Sequence, residues 1–207
     1  MEGCYARLEP LGPQHAESLY AACAGPDNAP RFDYLSELPP TGVDELRAWI
    51  ESKAKPDDPL FFAVIDRASG RCEGRQALMR VVPEHGVIEL GSIYWGPAIA
   101  RTRVATEAFY LHARYVFDEL GYRRFEWKCD DRNALSKRAA VRFGFTFEGV
   151  FRQHMWVKAA NRDSAWFSML DGEWPTLRSA FERWLEPENF DATGRQRGRL
   201  AVAARSR

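Results

Sequence analysis

The hydrophobic period of the chain changes from two to 3.6 in the middle of the sequence. Residues 61–66, 72–83 and 87–95 show the patterns of three strands in an antiparallel meander, whereas residues 103–119 place apolar side chains one helical turn apart. A strand that leads through a short loop into a helix points free backbone N–H groups, and the positive end of the helix dipole, at that loop. The sequence therefore predicts an anion site, suited to phosphate or pyrophosphate, at residues 96–102.

The remaining elements surround this segment in a simple order, with no repeat and no linker. We predict an α+β fold with one domain over residues 1–190 and a disordered, arginine-rich tail over residues 191–207. The further elements are strands at 5–11, 123–129, 145–158 and 163–171, and helices at 14–23, 43–53, 133–143 and 175–185.

Charge and cysteine usage exclude several classes of protein. The 29 basic and 29 acidic residues balance, so no overall field favours a nucleic acid or a membrane. The five arginines of residues 194–207, with no acid among them, leave five net negative charges on the rest of the chain. The four cysteines lack the spacing of a zinc site or a disulfide framework, and no apolar run reaches 18 residues, which favours a reduced, cytoplasmic protein with no metal.

Two local motifs have a functional and a structural interpretation. Arg101 and Arg103, at the helix start, could contact phosphate oxygens or remain solvated surface residues. In Asn133-x-x-Ser136, Asn133 suits a helix N-cap and Ser136 the first turn. Neither motif decides the function by itself.

The order of several motifs resembles one enzyme family. Thr106-Glu107-Ala108, Asn133-x-x-Ser136, Gly144-Phe145 and Glu148-Gly149 follow one another as in the GNAT acetyltransferases, of the RimJ/RimL type that acetylates ribosomal-protein N-termini. The resemblance runs from about residue 5 to residue 174. It implies a mixed, mostly antiparallel twisted sheet of about seven strands, flanked by helices and splayed between the fourth and fifth strands. It also implies acetyl-CoA as co-substrate and direct attack by an amine acceptor, a peptide N-terminal α-amine, in a ternary complex.

The resemblance also assigns residues to the acetyl-CoA site. It implies that strand backbone binds the pantetheine amides, that the loop N–H groups bind the pyrophosphate, that Asn133 meets the pantetheine arm and that Ser136 lies near the thioester sulfur, where we expect it to be the general acid. The strand residues are Ile93, Tyr94 and Trp95, and the loop residues are Arg101, Thr102, Arg103, Val104, Ala105 and Thr106.

The chain departs from the family pattern at two places. Arg101 and Arg103 occupy positions where most members have glycine, which lets backbone approach the pyrophosphate closely. We expect the arginines to assist binding there. Met155 occupies the position of the glutamate proposed as general base in RimL-like enzymes, and it cannot accept a proton.

Glu89 is therefore the preferred candidate base. Strand alternation places it on the face of Gly91 and Ile93. His154 is a second candidate, although alternation turns it to the opposite face unless a bulge intervenes. Asp163 is a third candidate base, although its position after Asn161-Arg162 suits a turn residue better, and His112 suits a packed helix face.

The acceptor decides how strong a base is needed. At pH 7, neutralising a lysine costs roughly 4.6 kcal/mol and an α-amine only roughly 1.1 kcal/mol. The missing glutamate is therefore easier to reconcile with an α-amine. Phe32, Tyr34 and Trp49 belong to the early segment that covers the acceptor side in this family, and we expect them to shape its pocket.

Other functions stay open on the sequence alone. The chain could acetylate a small amine such as an amino acid, polyamine or antibiotic, or bind acyl-CoA without catalysis, as the two missing glycines suggest. Nucleic-acid binding through the arginine tail is disfavoured by the acidic remainder of the chain. A homodimer is also left open.

Overall fold

The computed structural model describes residues 1–54 and 58–202 and contains every strand and long helix that the sequence predicts. No helix in this described part has both the length and the apolar character needed to cross a membrane. The strands are β1 (Ala6–Pro10), β2 (Leu60–Asp66), β3 (Arg71–Val82), β4 (Val87–Trp95), β5 (Arg124–Asp130), β6 (Thr146–Val157) and β7 (Ala160–Leu170), and the helices are α1 (Ala16–Cys23), α2 (Val43–Lys53), α3 (Arg103–Arg114), α4 (Ala134–Arg142) and α5 (Trp174–Leu185).

The seven strands form one sheet in the order β1-β2-β3-β4-β5-β7-β6, in which the β4–β5 pair is parallel. The predicted α+β class with a mixed sheet is therefore confirmed. The chain divides into two compact units, one formed by Met1–Arg80 with Leu90–His112 and the other by Val81–Glu89 with the chain from Ala113 onward. The single domain over residues 1–190 stays a prediction.

In the first unit, β1, β2 and β3 pair antiparallel, and apolar side chains cover both faces of the strands. Alternation along each strand sends neighbouring side chains to opposite faces, which is why the unit has two separate apolar clusters. One cluster packs against α1 and α2 and includes Leu19, Ile50, Phe61, Ala63 and Ala77. The other packs against α3 and includes Ala6, Leu8, Val64, Ala108 and Leu111.

Glu107 on α3 fixes the start of β1. Its buried carboxylate accepts the backbone N–H groups of Cys4, Tyr5 and Ala6 at 2.8, 2.5 and 2.6 Å. Three charge-assisted hydrogen bonds satisfy a carboxylate that would otherwise be costly to bury. Within the Thr106-Glu107-Ala108 motif, Glu107 therefore has a structural role.

A buried polar network joins α3 to the sheet. The side-chain amide of Gln76 donates to the Ala108 carbonyl at 2.9 Å and lies 2.7 Å from His112 Nδ1, while its oxygen accepts the Trp95 indole N–H at 3.0 Å. Because the Gln76 nitrogen donates, Nδ1 of His112 accepts and its proton lies on Nε2. Burial lowers the pKa of His112 to about 3, so the ring is neutral. The expectation of a packed histidine is confirmed.

In the second unit, β5, β7 and β6 pair antiparallel, and an aromatic core covers one face. Gly144 ends α4 at φ +93°, and a Cβ there would lie 2.6 Å from Leu177 Cδ2, so the turn requires glycine for both its conformation and its packing. The aromatic core contains Phe125, Trp127, Phe143, Phe145 and Phe181.

Residues 190–200 differ from the predicted disordered tail. Phe190 and Leu200 are buried, and the Trp184 indole N–H donates to Gln196 Oε1 at 3.1 Å and to the Gly198 carbonyl at 3.0 Å. The Phe190 ring also meets the Trp184 ring at 5.1 Å. The arginine count conceals these anchors, because one tryptophan and two apolar residues are enough to fold the segment back onto α5. Residues 203–207 of the predicted tail lie outside the described residues.

The four cysteines are free thiols, and only Cys4 is exposed. Burial raises the pKa of Cys23 to about 11 and that of Cys72 to about 12, and it also raises the pKa of Cys129. The three buried cysteines therefore behave as small apolar core residues at neutral pH.

We predict that His112 makes stability depend on pH. Its pKa in the folded state, about 3, lies below the unfolded value, so its contribution is complete above pH 6.5 and is lost as the pH falls towards 3. Between pH 7 and pH 4.5, urea titrations should show a loss of roughly 2–3 kcal/mol in the free energy of unfolding. His112→Gln should remove most of this dependence, while replacement of exposed His85 by Gln should keep it. An unchanged slope in the His112 variant would contradict the assignment.

Candidate functional site

Strand β4 is irregular at Ser92. This residue has φ +49°, in the left-handed region that few non-glycine residues adopt inside a strand. The Ser92 carbonyl and hydroxyl accept the Arg75 guanidinium at 2.6 and 2.9 Å, and the Tyr94 hydroxyl donates to the Ala22 carbonyl at 3.0 Å. The predicted alternation from Glu89 through Ile93 is therefore interrupted, and the backbone at Ser92 is held by specific contacts rather than by regular pairing.

Arg75 is the charged centre of the first unit. It is only 3% exposed, forms an ion pair with Glu37 and lies 4.6 Å above the Trp49 ring. Desolvation lowers the pKa of Arg75 to about 10, so the guanidinium remains charged at neutral pH. One buried side chain thus ties the loop that carries Glu37, helix α2 and the irregular part of β4 together.

A cavity of about 280 Å³ opens beside this arginine. Its lining comes from α1, the following loop, α2, β3 and β4. Of the three aromatic residues expected on the acceptor side, Phe32 and Trp49 contribute to the lining and Tyr34 does not. The lining residues are Leu19, Cys23, Phe32, Glu37, Leu38, Pro40, Glu45, Leu46, Trp49, Arg75 and Tyr94.

The loop after β4 is closed by Thr102. Its hydroxyl donates to the Ile99 carbonyl at 2.7 Å and accepts the Val104 N–H at 3.2 Å, while its carbonyl accepts the Thr106 N–H at 3.2 Å. The Thr102 N–H itself donates to Ile99. Of the six amides predicted to bind pyrophosphate, those of Thr102, Val104 and Thr106 are therefore engaged within the loop and the helix start.

The two loop arginines have different conformations and contacts. Arg101 has φ +64°, a left-handed conformation that glycine adopts more readily than a residue with a Cβ. Arg103 begins α3 and lies 4.3 Å above the Tyr5 ring. No acidic residue occupies the first turn of α3. The loop thus keeps the turn and the positive charge that suit an anion.

Asn133 and Ser136 lie in the second unit, at the start of α4. Asn133 Oδ1 accepts the Ser136 N–H at 3.0 Å, which confirms the N-cap interpretation. The Ser136 hydroxyl oxygen accepts the Trp127 indole N–H at 2.9 Å. Burial raises the pKa of the Cys129 thiol, and the Ser136 hydroxyl partly offsets that rise. Because Trp127 can only donate, the Ser136 hydroxyl proton can point to another acceptor.

Glu89 forms a buried ion pair with Lys128. The carboxylate and ammonium lie 2.6 Å apart, with side chains 5% and 4% exposed, and the ammonium also lies 4.0 Å above the Trp166 ring. An adjacent cation favours the ionised carboxylate and so makes it a weaker base than an isolated buried glutamate. The structural salt bridge weighed against catalysis is therefore present.

The β6 strand contains the irregularity on which the candidacy of His154 depends. Its register moves from Phe151 opposite Ser164 to Met155 opposite Arg162, which inserts two extra residues into β6. Gln153 there has φ +49°, and its N–H donates to Asp163 Oδ1 at 2.7 Å. Asp163 thus holds the bulge from within β7, and the expectation that it lies in a turn is wrong, because the β6–β7 turn is at residues 158–159.

The bulge brings His154 onto the face of Trp166. The two rings are 5.8 Å apart, and His154 Nδ1 lies 2.9 Å from Ser164 Oγ. The Trp166 ring also contacts the ammonium of Lys128, which is the ion-pair partner of Glu89. The two candidate bases therefore share one face of the second unit, joined through Lys128 and Trp166.

Sequence reasoning missed Arg75, Glu37 and the left-handed Ser92. An arginine within the otherwise buried strand β3 is a signal that could have identified Arg75, because a buried charge needs a partner. No local pattern marks Glu37 or the conformation of Ser92. In the described ranges, no group of three histidine, cysteine or acidic side chains is arranged to hold a metal ion.

Comparisons with known proteins agree with this architecture. The family model of the acetyltransferase (GNAT) domain matches residues 6–146. The crystal structure of a GCN5-related N-acetyltransferase from Brucella melitensis is similar at 58% identity and a TM-score of 0.93, over 96% of this chain and 90% of that one. A probable acetyltransferase of the GNAT family from Chromobacterium violaceum ATCC 12472 is 41% identical with a TM-score of 0.78, over 84% and 87% of the two chains.

A more distant structure shares the fold alone. Spermidine N-acetyltransferase from Vibrio cholerae, solved with CoA and spermine, is 18% identical with a TM-score of 0.65, over 82% of this chain and 98% of that one. Comparison with curated proteins gives no match. The family model spans most of the sequence and the Brucella melitensis structure nearly all of it. The chain therefore belongs to the GNAT family of N-acetyltransferases, acyltransferases that use acetyl-CoA as the acyl donor.

Proposed function

We propose that this acyltransferase acetylates the N-terminal α-amine of a peptide or protein, as the RimJ/RimL-like motifs of the sequence imply. The observation that carries this choice of acceptor is the buried Glu89–Lys128 ion pair. The adjacent Lys128 ammonium makes the preferred candidate base weaker than an isolated buried glutamate, and Met155 stands where the resemblance implies another carboxylate.

A weak base suits an acceptor that is already partly neutral. At pH 7 an α-amine needs roughly 1.1 kcal/mol to lose its proton, whereas a lysine needs roughly 4.6 kcal/mol. Glu89, acting directly or through water, is a strong enough base to take the proton from an α-amine. His154 remains the alternative base, because its ring lies on the same face of the second unit.

Acetyl-CoA supplies the activated acetyl group. The Arg101 turn and the acid-free first turn of α3 fit its pyrophosphate, and Arg101 is the side chain that adds charge there. The strand residues Ile93, Tyr94 and Trp95 are proposed to hold its pantetheine amides, and Asn133 its arm. Backbone N–H groups of β4 are proposed to stabilise the tetrahedral oxyanion, since preorganised donors contribute most where charge develops.

Ser136 is proposed as the general acid for the leaving thiolate. The Trp127 N–H occupies a lone pair of its oxygen and so leaves the hydroxyl hydrogen for donation. Donation by a hydroxyl needs no charged group in the pocket.

The decisive experiment is a panel of acceptors with labelled acetyl-CoA, analysed by mass spectrometry. We expect peptides with free N-termini to be acetylated at the α-amine, and the same peptides with blocked N-termini and internal lysines to remain unmodified. Exclusive turnover of spermidine, free amino acids or aminoglycosides would replace the peptide proposal with a small-amine enzyme. CoA binding in calorimetry, with no product from any amine, would identify a non-catalytic acyl-CoA-binding module.

We predict that Arg101 and Arg103 contribute unequally to CoA binding. Arg101→Gly should weaken CoA binding by about tenfold through loss of one charge-assisted contact, while relief of the left-handed conformation should raise stability by up to about 1 kcal/mol. Arg103→Ala, whose guanidinium packs on Tyr5, should change the affinity by less than about twofold. Calorimetric titration with CoA measures both affinities, and equal losses in the two variants would contradict this assignment.

We predict that Ser136→Ala lowers kcat by about 10²-fold while the KM for acetyl-CoA changes little, because an acid acts on the leaving group rather than on binding. The exposed serine Ser179 on α5 supplies the control, and Ser179→Ala should leave kcat unchanged. Steady-state kinetics with saturating peptide provide the measurement. Undiminished turnover would remove Ser136 from the catalytic residues.

We predict that Glu89→Gln both destabilises and inactivates the enzyme. An uncompensated buried Lys128 should cost about 3–5 kcal/mol of folding free energy. The double variant Glu89→Gln with Lys128→Met removes that charge and should regain much of the stability, as measured by urea denaturation. If Glu89 is the base, the double variant stays inactive; recovered activity would show that the pair is only structural.

A further inference from the structure

At the floor of the cavity, protein groups already pair with the charge of Arg75. The Arg75 guanidinium is occupied by Glu37 and by the carbonyl and hydroxyl of Ser92, and it stacks on Trp49. The second oxygen of Glu37 accepts the Ser36 hydroxyl at 2.9 Å. An anionic ligand would have to displace a carboxylate that already occupies the guanidinium.

The walls of the cavity are apolar, and their polar atoms point elsewhere. The Tyr94 hydroxyl donates to the Ala22 carbonyl, and burial holds Cys23 as a neutral thiol with a pKa of about 11. The Tyr94 ring packs against Phe32 at a centroid distance of 5.0 Å. Leu19 and Leu46 complete the apolar surface. A charged group placed here would lose its hydration with no partner in return.

The volume of the cavity and the charge at its rim restrict the class of ligand further. A volume of about 280 Å³ equals that of about nine liquid waters, which is room for a side chain of methionine or phenylalanine size. Glu45 lies at the rim, where its carboxylate accepts the Thr41 N–H and hydroxyl at 2.7 and 2.5 Å. Its negative charge disfavours an acidic ligand at the entrance.

The cavity is attached to the strand that the proposed function assigns to the acetyl donor. Tyr94 of β4 forms part of its wall, and Arg75 at its floor holds Ser92 of the same strand. A group bound in the cavity is therefore held against the segment whose backbone is proposed to stabilise the oxyanion. Such positioning is what brings an amine to a reacting carbonyl.

We propose that this cavity binds the first side chain of the acceptor peptide and selects a large apolar residue, of the methionine, leucine or phenylalanine class. The proposal rests on the proposed function, because it needs an N-terminal α-amine as acceptor. It adds a specificity for the first residue of the peptide. Apolar first residues are accepted, whereas acidic ones are rejected because Arg75 is already paired with Glu37 and because Glu45 lies at the rim.

A peptide series that differs only in the first residue tests the proposal. With acetyl-CoA and mass-spectrometric detection of acetylated peptide, kcat/KM for methionine, leucine and phenylalanine should exceed that for alanine by at least about tenfold. Aspartate-first peptides should be slower still. Leu46→Phe, which narrows the cavity, should reduce the three favoured peptides by about tenfold or more and leave the alanine-first peptide within about twofold.

The matched control is Val43→Leu, one helical turn away on α2, in the same apolar cluster but outside the cavity lining. It should leave every peptide within about twofold. Should Leu46→Phe fail to fold, Leu46→Ala enlarges the same wall and should shift the preference towards phenylalanine and tryptophan.

The outcomes separate the two proposals. Peptide acetylation with no preference among first residues, a preference for aspartate, or an equal loss for the alanine-first peptide in Leu46→Phe would overturn the pocket assignment and leave the proposed function intact. Acetylation of small amines alone, with no peptide modified, would overturn both.

Discussion

The buried ion pair between Arg75 and Glu37 is the interaction on which the candidate site depends. A guanidinium almost wholly removed from water is tolerable only because a carboxylate, a carbonyl, a hydroxyl and an aromatic face surround it. Those partners come from a loop, from β4 and from α2, so satisfying one charge fixes three segments at once. The left-handed Ser92 is held in the same way, because its oxygens face the arginine. A stable cavity and a distorted strand thus have one physical cause.

Hydrophobic periodicity predicted the strands and long helices because each element has one face against a core, and burial imposes the period. It also predicted Asn133 as a cap, since capping depends only on nearby residues. The features that it missed are set by long-range contacts. The Ser92 conformation depends on Arg75, 17 positions away, and Glu107 reaches β1 across about 100 positions. The His154 bulge was foreseen only as a condition, because register is decided by the partner strand.

The loop after β4 shows how a family pattern can be kept by different means. The resemblance implies glycine at the position of Arg101, and Arg101 adopts the left-handed conformation that glycine favours in spite of its Cβ. Thr102 then accepts the N–H groups of Val104 and Thr106, and its own N–H donates to the Ile99 carbonyl. We propose that the Arg101 side chain adds a charge-assisted contact to an anion bound at this loop. The resemblance alone could not show these local hydrogen bonds, because it assigns a role to each residue from its position in the sequence and not from its contacts.

The distribution of thiols has a practical consequence for measuring turnover. Each acetyl transfer releases the free sulfhydryl of CoA, which colourimetric disulfide reagents quantify. Cys23, Cys72 and Cys129 are buried with raised pKa values, so they hold almost no reactive thiolate near neutrality. Exposed Cys4 is the protein thiol that such a reagent meets first. For folded enzyme, the protein's own background should then be a rapid burst of about one thiol equivalent per chain. A larger burst would report unfolded chains, in which the three buried thiols also react.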